Sequence, residues 1–355
     1  SRASRSAEGN APWQLAAPFA SLEGKASRAT MGKARAPPVA SAVLTTLFLG
    51  QVFWSFFVLR NVRIGEVKAL VAFPAAMVFV LLILRVTKYA GSSVAVGFFG
   101  ANKMNARKFG DQTWQFLIHT SMTALELYVL RGEKWYMDPP EAFKEFGVEE
   151  KLEVDVLYLV QLAIWVITCF SHHFLESRHK DYVLMYVHHI VTIALILLSW
   201  SFRLQKIGVS VLYVHDASDI SIDLLKMSNY LKLEGPSNLF AVEIIFVLNL
   251  VSWFWWRVYQ FPFNIVRACI LDGFIPLYAQ VCTSSLLSQF SCYSFIYLLL
   301  ALCVMHLWWL YLLLRIAYKL VLSPGKGHDA GRDEYEGDSS DEDEANEADK
   351  ADKVD

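Results

Sequence analysis

Acidic residues are scarce through most of this 355-residue sequence. Residues 1–322 hold 21 Asp and Glu against 28 Lys and Arg, and the remaining 13 acids are crowded into residues 323–355 beside four basic residues. The net charge of −2 is therefore a cancellation between two unlike regions. The basic residues form no single stripe, which argues against a nucleic-acid partner. Five cysteines, Cys169, Cys269, Cys282, Cys292 and Cys303, include no CxxC and no metal-ligand spacing. A GxSxG elbow and a phosphate-cradling glycine loop are both missing, which removes the signatures of a serine hydrolase and a P-loop enzyme. So are the HxxxH and HxxHH boxes of di-iron membrane oxygenases, since Met185 stands where HxxHH would need its first histidine. Adjacent histidines point about 100° apart on a helix, so HH pairs do not converge on one ion and a metal is disfavoured. No Asn-x-Ser/Thr sequon marks any loop as lumenal.

What is abundant is apolar and aromatic surface. The sequence is 55% hydrophobic, above the roughly 45–50% of soluble domains, and 14% aromatic. Segments 40–59, 67–87, 111–130, 154–173, 183–202, 239–258 and 293–318 each approach the roughly 20 apolar residues that span a bilayer. Residues 207–228 are an eighth candidate with His215, Asp216, Asp219, Asp223 and Lys226 on one narrow helical stripe. A stripe that narrow can face a bundle interior.

The predicted organisation has four parts. Residues 1–38, rich in Ala, Ser, Arg and Pro, read as a disordered basic leader with no secretory h-region. Residues 39–104 hold two transmembrane helices and a cytoplasmic loop, 105–320 the main helical domain, and 321–355 a disordered acidic tail. Residues 260–292, with Pro262 and Pro276, read as a loop with short, re-entrant apolar pieces. Eight crossings place both termini on one side. The leader, the 88–110 loop with Lys88, Lys103, Arg107 and Lys108, the 174–182 loop with Arg178 and Lys180, and Lys319 and Lys326 all fall there. By the positive-inside rule that side is cytoplasmic. Cys282 and Cys292 then lie in a lumenal loop, where a disulfide is allowed.

Candidate chemistry concentrates in the middle of the chain. His172-His173 sits at a span end and reads as interfacial, whereas His188-His189 lies well inside an apolar span, where titratable rings are functional candidates. Counting about 1.5 Å per residue places His188 about 9 Å inside the cytoplasmic boundary, and Asp223, Asp219 and Asp216 about 7, 13 and 18 Å inside it. Overlapping depth predicts that a carboxylate orients one of the paired imidazoles.

The order KDY, HH, HDxSD and KMSNY between residues 171 and 230 closely resembles the Lag1 motif of the ceramide synthases, within the TRAM-Lag1-CLN8 (TLC) domain family. The stretch RKFGDQTWQFL, residues 107–117, is similar to the opening of the TLC domain, and the resemblance extends over about 105–320. It implies an all-α polytopic membrane protein of about eight transmembrane helices, six of them a TLC bundle enclosing a hydrophobic substrate cavity. It also implies N-acylation of a sphingoid base by fatty acyl-CoA in the endoplasmic reticulum, with acyl-CoA as co-substrate and no cofactor. The family's paired histidines match His188 and His189, and its paired aspartates match Asp216 and Asp219. Asp223 and Lys226 are second choices on the same stripe, and His215 borders it. Homo- or hetero-oligomers are compatible with the resemblance.

That chemistry suits the residues. A protonated amine must lose a proton before attacking a thioester, and an oriented histidine can take it. One imidazole could instead accept the acyl group first, with the other donating to the developing oxyanion. Lys103, Arg107, Lys108, Arg178 and Lys180 are candidate contacts for CoA phosphates. Ser339 and Ser340, each with an acid three residues on, fit an acidophilic kinase. A non-enzymatic lipid-binding or translocation-associated TLC protein, or another acyl-CoA enzyme, are the alternatives.

Overall fold

A computed structural model describes residues 38–136, 138–144, 150–176, 182–277 and 286–322. The leader, Arg178, Lys180, Cys282, Ser339, Ser340 and the acidic tail lie outside the described residues. The chain divides into residues 1–46 and 47–355, and the site lies wholly in the second unit. Apart from a two-residue antiparallel hairpin pairing Arg63–Ile64 with Val67–Lys68, the described chain is helical. Six helices are long and apolar enough to cross a membrane, so this is an all-α, multi-pass membrane protein.

Helix α1 spans Pro38–Leu59 and α2 Ala69–Phe99. The expected 88–110 loop is therefore mostly helix. The actual turn is three residues: Gly100 ends α2 at φ +62°, and Asn102 starts α3 (Lys103–Leu130) by accepting a 2.8 Å bond from the Asn105 amide. A short α4 (Pro139–Lys144) leads to α5 (Leu152–Phe174), α6 (Tyr182–Ser201) and α7 (Gln205–Tyr230). Helix α8, Ala241–Trp253, passes directly into π-helical stretches at Phe254–Val266 and Cys269–Phe274 and a last turn, α9, at Ile275–Leu277. This overturns the loop expected from residue 260. Pro262 has no N–H to give and crowds an α-helical turn, but here it sits inside the π-helical stretch, so the chain continues. Helix α10 runs Leu286–Leu322.

The long helices pack in a closed ring, α2 on α3, α3 on α7, α7 on α8 and its π continuation, that continuation on α10, α10 on α6, α6 on α5, and α5 back on α2. Helix α7 also touches α5 and α6. Its burial is unusual in kind. Among the described residues, helices α3 and α7 are not among the six apolar spans, yet they pack extensively on each other. For α3, Gln112, His119 and Glu126 interrupt the apolar run at residues 111–130 that was expected to span. Of the apolar windows, 78% of α5 and 72% of α6 are buried, against 22% of α2. Helices α5 and α6 are thus shielded inside the bundle, and the apolar outer helices are free to meet lipid.

Candidate active site

Helices α3 and α7 run antiparallel, and polar side chains join them along their length. The Asn105 amide donates to the Tyr230 carbonyl at 3.2 Å. Two turns further along α3, Gln112 donates to Oδ1 of Asp223 at 2.5 Å. After two more turns, His119 donates from Nδ1 to Oδ2 of Asp223 at 2.6 Å, and its Nε2 lies 3.9 Å from Asp219. Two turns beyond that, Glu126 and Asp216 both accept from the Gln161 amide of α5, at 2.7 and 2.8 Å. Positions 105, 112, 119 and 126 recur every seven residues, so they fall on one helical face. Each of these four side chains has at least one hydrogen-bond partner, though Oε2 of Glu126 has none.

The other side of α7 faces α8 and α10. Arg257, only 2% exposed, donates to Ser218 Oγ and Asp219 Oδ1 at 2.6 Å each, to the His215 carbonyl at 3.2 Å, and to Nε2 of His306 at 3.1 Å. Its guanidinium also lies 4.9 Å from the Trp253 ring centre. His215 donates to the Val211 carbonyl, and its Nε2 sits 3.1 Å from that of His306. Asp219 therefore stands between His119 and Arg257 and links the two sides of α7.

The paired histidines of α6 are placed differently from expectation. His188 and His189 are buried, each with an Nδ1 that has no hydrogen-bond partner. Among the described residues the three α7 carboxylates bond to Gln161, Arg257 and His119, so the predicted pairing of a carboxylate with His188 or His189 does not form. Equal depth in the membrane did not make them neighbours, because Trp165 of α5 intervenes. Its ring lies 5.7 Å from that of His188 and 5.6 Å from that of His189. His188 instead lines a largely apolar pocket between α5, α6, α7 and α10, with His215, Leu195, Ile196, Leu299 and Leu302 also in its lining. A smaller pocket lies on the α3 side, with His119, Gln161, Thr168 and Asp216 in its lining. Trp165 belongs to both.

At one end of α2, α3 and α5 is a charged cluster. Lys88 contacts Asp111 at 2.9 Å, Glu176 at 2.7 Å and Ser171 at 2.9 Å, and Arg107 donates to the Leu175 carbonyl. His172 and His173, expected at an interface, are buried there. His172 stacks on Tyr182 and reaches Glu176 at 3.5 Å, while His173 bonds the Tyr182 hydroxyl at 2.5 Å. Burial alone would raise the Glu176 carboxyl, but the hydrogen bond from His172 and the charge and hydrogen bond of Lys88 outweigh it and hold the group well below the usual carboxylate range. Of the predicted CoA contacts, Lys103 is exposed at the start of α3, while Lys108 is half-buried. Lys226 is half-buried one turn beyond Asp223. Cys292 is disulfide-bonded, and Cys169, Cys269 and Cys303 are free thiols.

His119, Arg257, His306, Gln112, Glu126 and Gln161 are missing from the residues singled out by sequence. Arg257 and His306 are lone ionisable groups inside apolar runs, the signal that marked His188-His189. For the α3 residues the signal is the seven-residue spacing.

The match to known proteins follows this architecture. The TLC domain (TRAM_LAG1_CLN8) matches residues 108–315, which is more than half of the chain and covers α3 to α10. This chain belongs to the TLC-domain family. Curated members similar to it include human ceramide synthase 1, 29% identical over 230 residues, or 61% of this chain and 62% of the human protein. Ceramide synthase LOH2 of Arabidopsis thaliana is 30% identical over 240 residues, 67% of this chain and 78% of that protein. Ceramide synthase 1 LOH3 of the same plant is 29% identical over 251 residues, 68% and 78% respectively. The chain spans less than two thirds of the length of the human relative.

Proposed function

We propose that this protein is a ceramide synthase that transfers the acyl group of a fatty acyl-CoA to the amine of a sphingoid long-chain base. The observation that carries the reading is the apolar cavity ending at His188. Its aliphatic lining suits an acyl chain, and a thioester carbonyl beside His188 would meet an imidazole not tied to a carboxylate. His188 then works on the thioester, either taking the acyl group on nitrogen or donating to the oxygen that gains charge. His189, packed between His172 and Trp165, holds that region in shape. Asp216 lines the second pocket that Trp165 borders, the side we assign to the amine, since carboxylates hold an ammonium, while Asp219 is paired with Arg257.

The curated relatives named ceramide synthases support the same reading. It carries with it the endoplasmic reticulum membrane, cytoplasmic termini, CoA phosphates greeted by Lys103, Arg107, Lys108, Arg178 and Lys180, and an acidophilic kinase acting on Ser339 and Ser340. Incubating the purified protein with sphinganine, sphingosine or phytosphingosine and a panel of acyl-CoAs, with products identified by mass spectrometry, tests the activity. N-acyl products with release of CoA are expected. His188→Ala should remove product formation while leaving the melting profile close to wild type. Full activity in that variant rejects the assignment.

A further inference from the structure

We infer that His119, held at Nδ1 by Asp223, is the base that deprotonates the attacking amine, and that the pocket it shares with Asp216 and Gln161 receives an amine-and-hydroxyl head group. The inference rests on the proposed N-acylation and adds to it a second histidine in a second compartment.

Three observations carry it. First, the only imidazole of the two compartments seen to be oriented by a carboxylate is not in the HH pair. His119 donates to Asp223 at 2.6 Å, and Asp223 is in turn fixed by Gln112 at 2.5 Å, so the ring has one orientation. A carboxylate at one nitrogen leaves the other to exchange the proton. Second, that ring lines a pocket whose other polar members are Gln115, Gln161, Thr168 and Asp216. Those groups, set among Ile118, Met122, Ile164 and Trp165, suit an amine flanked by hydroxyls, whereas the His188 pocket is lined mostly by aliphatic and aromatic side chains, with few polar groups such as Thr192 and Ser199. Third, one indole, that of Trp165, forms part of both walls. An amine on one side and a thioester on the other would approach past a single side chain.

The step balances as follows. The ammonium gives one proton to Nε2 of His119, and the freed lone pair forms the C–N bond to the acyl carbon. The C–S bond breaks, and the thiolate leaves. The second proton lost from nitrogen as the amide forms goes to that thiolate, and His119 returns its own to solvent. If His188 carries the acyl group first, the same amine step opens the acyl-imidazole, and His188 replaces the thiolate as leaving group. The charged groups facing His119 are Asp216, Asp219 and Asp223 of α7, with Lys226 beyond Asp223 and Arg257 beyond Asp219. Helix α5 contributes the uncharged Gln161.

The test uses the full chain in detergent or liposomes with sphinganine and palmitoyl-CoA, for wild type, His119→Ala, His119→Gln and Asp223→Asn. At neutral pH both His119 variants should lose about 100-fold or more in kcat for amide formation, the lower end of what a general base supplies, with KM for acyl-CoA unchanged. The loss should shrink as pH rises, because the amine then arrives deprotonated, and added imidazole should restore part of the rate. Asp223→Asn should fall between the variants and wild type. A purely structural role moves neither the pH profile nor the imidazole response. His119→Gln keeps a donor to Asp223, so it reports should the Ala variant fail to fold. A folded His119→Gln protein with wild-type rate and pH profile overturns the inference. Absence of product from wild type with every base and acyl-CoA instead overturns the N-acylation reading on which it rests.

Discussion

Arg257 is the centre of a buried polar network beside α7. It is buried among apolar neighbours and holds Asp219, Ser218, His306 and the His215 carbonyl at once. Removing one member of such a pair leaves the other charge buried without compensation, which costs about 3–5 kcal/mol, whereas replacing both can be nearly neutral. Arg257→Leu should therefore destabilise the protein strongly. Adding Asp219→Asn to it should recover at least about 1 kcal/mol, since contacting residues couple by about 0.5–3 kcal/mol. Thermal or denaturant unfolding in detergent of the two single variants and the double variant measures the coupling. Additive effects would show that Arg257 acts through its other contacts. The contrast with His188 is instructive. That ring is just as buried but has an unpartnered Nδ1 at a cavity wall, so His188→Ala should leave stability nearly intact and affect chemistry alone.

At the scale of elements, the pairing of α3 with α7 and of α2 with α3 depends on small residues and on polar spacing. A side chain added at Gly110 would strike the Lys88 carbonyl and the Ser92 side chain, and one at Gly91 would strike Thr113. Backbone cannot yield as a flexible side chain does. Gly110→Val should accordingly cost about 1–3 kcal/mol, the range for overpacking, and do so more severely than Gly91→Ala, whose nearest obstacle is the Thr113 side chain, with the Gly110 backbone slightly farther off. Melting temperatures of the two variants test that order. These helices also show what the sequence made legible. The apolar spans, the HH pair and the acidic stripe of α7 could be read directly, because each is a pattern along one segment. The ladder of Asn105, Gln112, His119 and Glu126 was readable only as a period of seven in a segment that passed as plain hydrophobic. Which carboxylate meets which imidazole was not readable, since depth fixes height in the membrane but not azimuth around the ring of helices. Nor was the π-helical run across Pro262, because a proline in an apolar stretch ordinarily ends a helix.

Among the described residues, many large apolar side chains face outward while several ionisable groups are buried between helices, so integrity depends on the places where charges from several helices meet. The clearest is the cluster of Lys88 on α2, Asp111 on α3, and His172 and Glu176 at the end of α5. Three helices are tied there by one ammonium and two carboxylates, next to the end of α3 where Arg107 bonds the Leu175 carbonyl. Glu176 is held well below its ordinary value despite burial, by its bond from His172 and by Lys88. A carboxylate depressed in the folded state contributes stability that is fully present above its unfolded value, about 4.3 for Glu, and that is lost as pH falls from there toward the folded value. The melting temperature in detergent should thus be flat from neutral pH down to about 5 and then fall as the solution is acidified below the ordinary glutamate range. Glu176→Gln should lower the plateau and flatten part of the acid-side decline, because its uncharged amide has no proton to gain. Lys88→Met should lower the plateau too and make the acid-side decline shallower and complete at a higher pH, since Glu176 then loses one of the groups that keep it ionised while the onset stays set by the unfolded value. A Glu176→Gln curve that runs parallel to wild type throughout the acid range would show that this cluster does not govern how the three helices hold together.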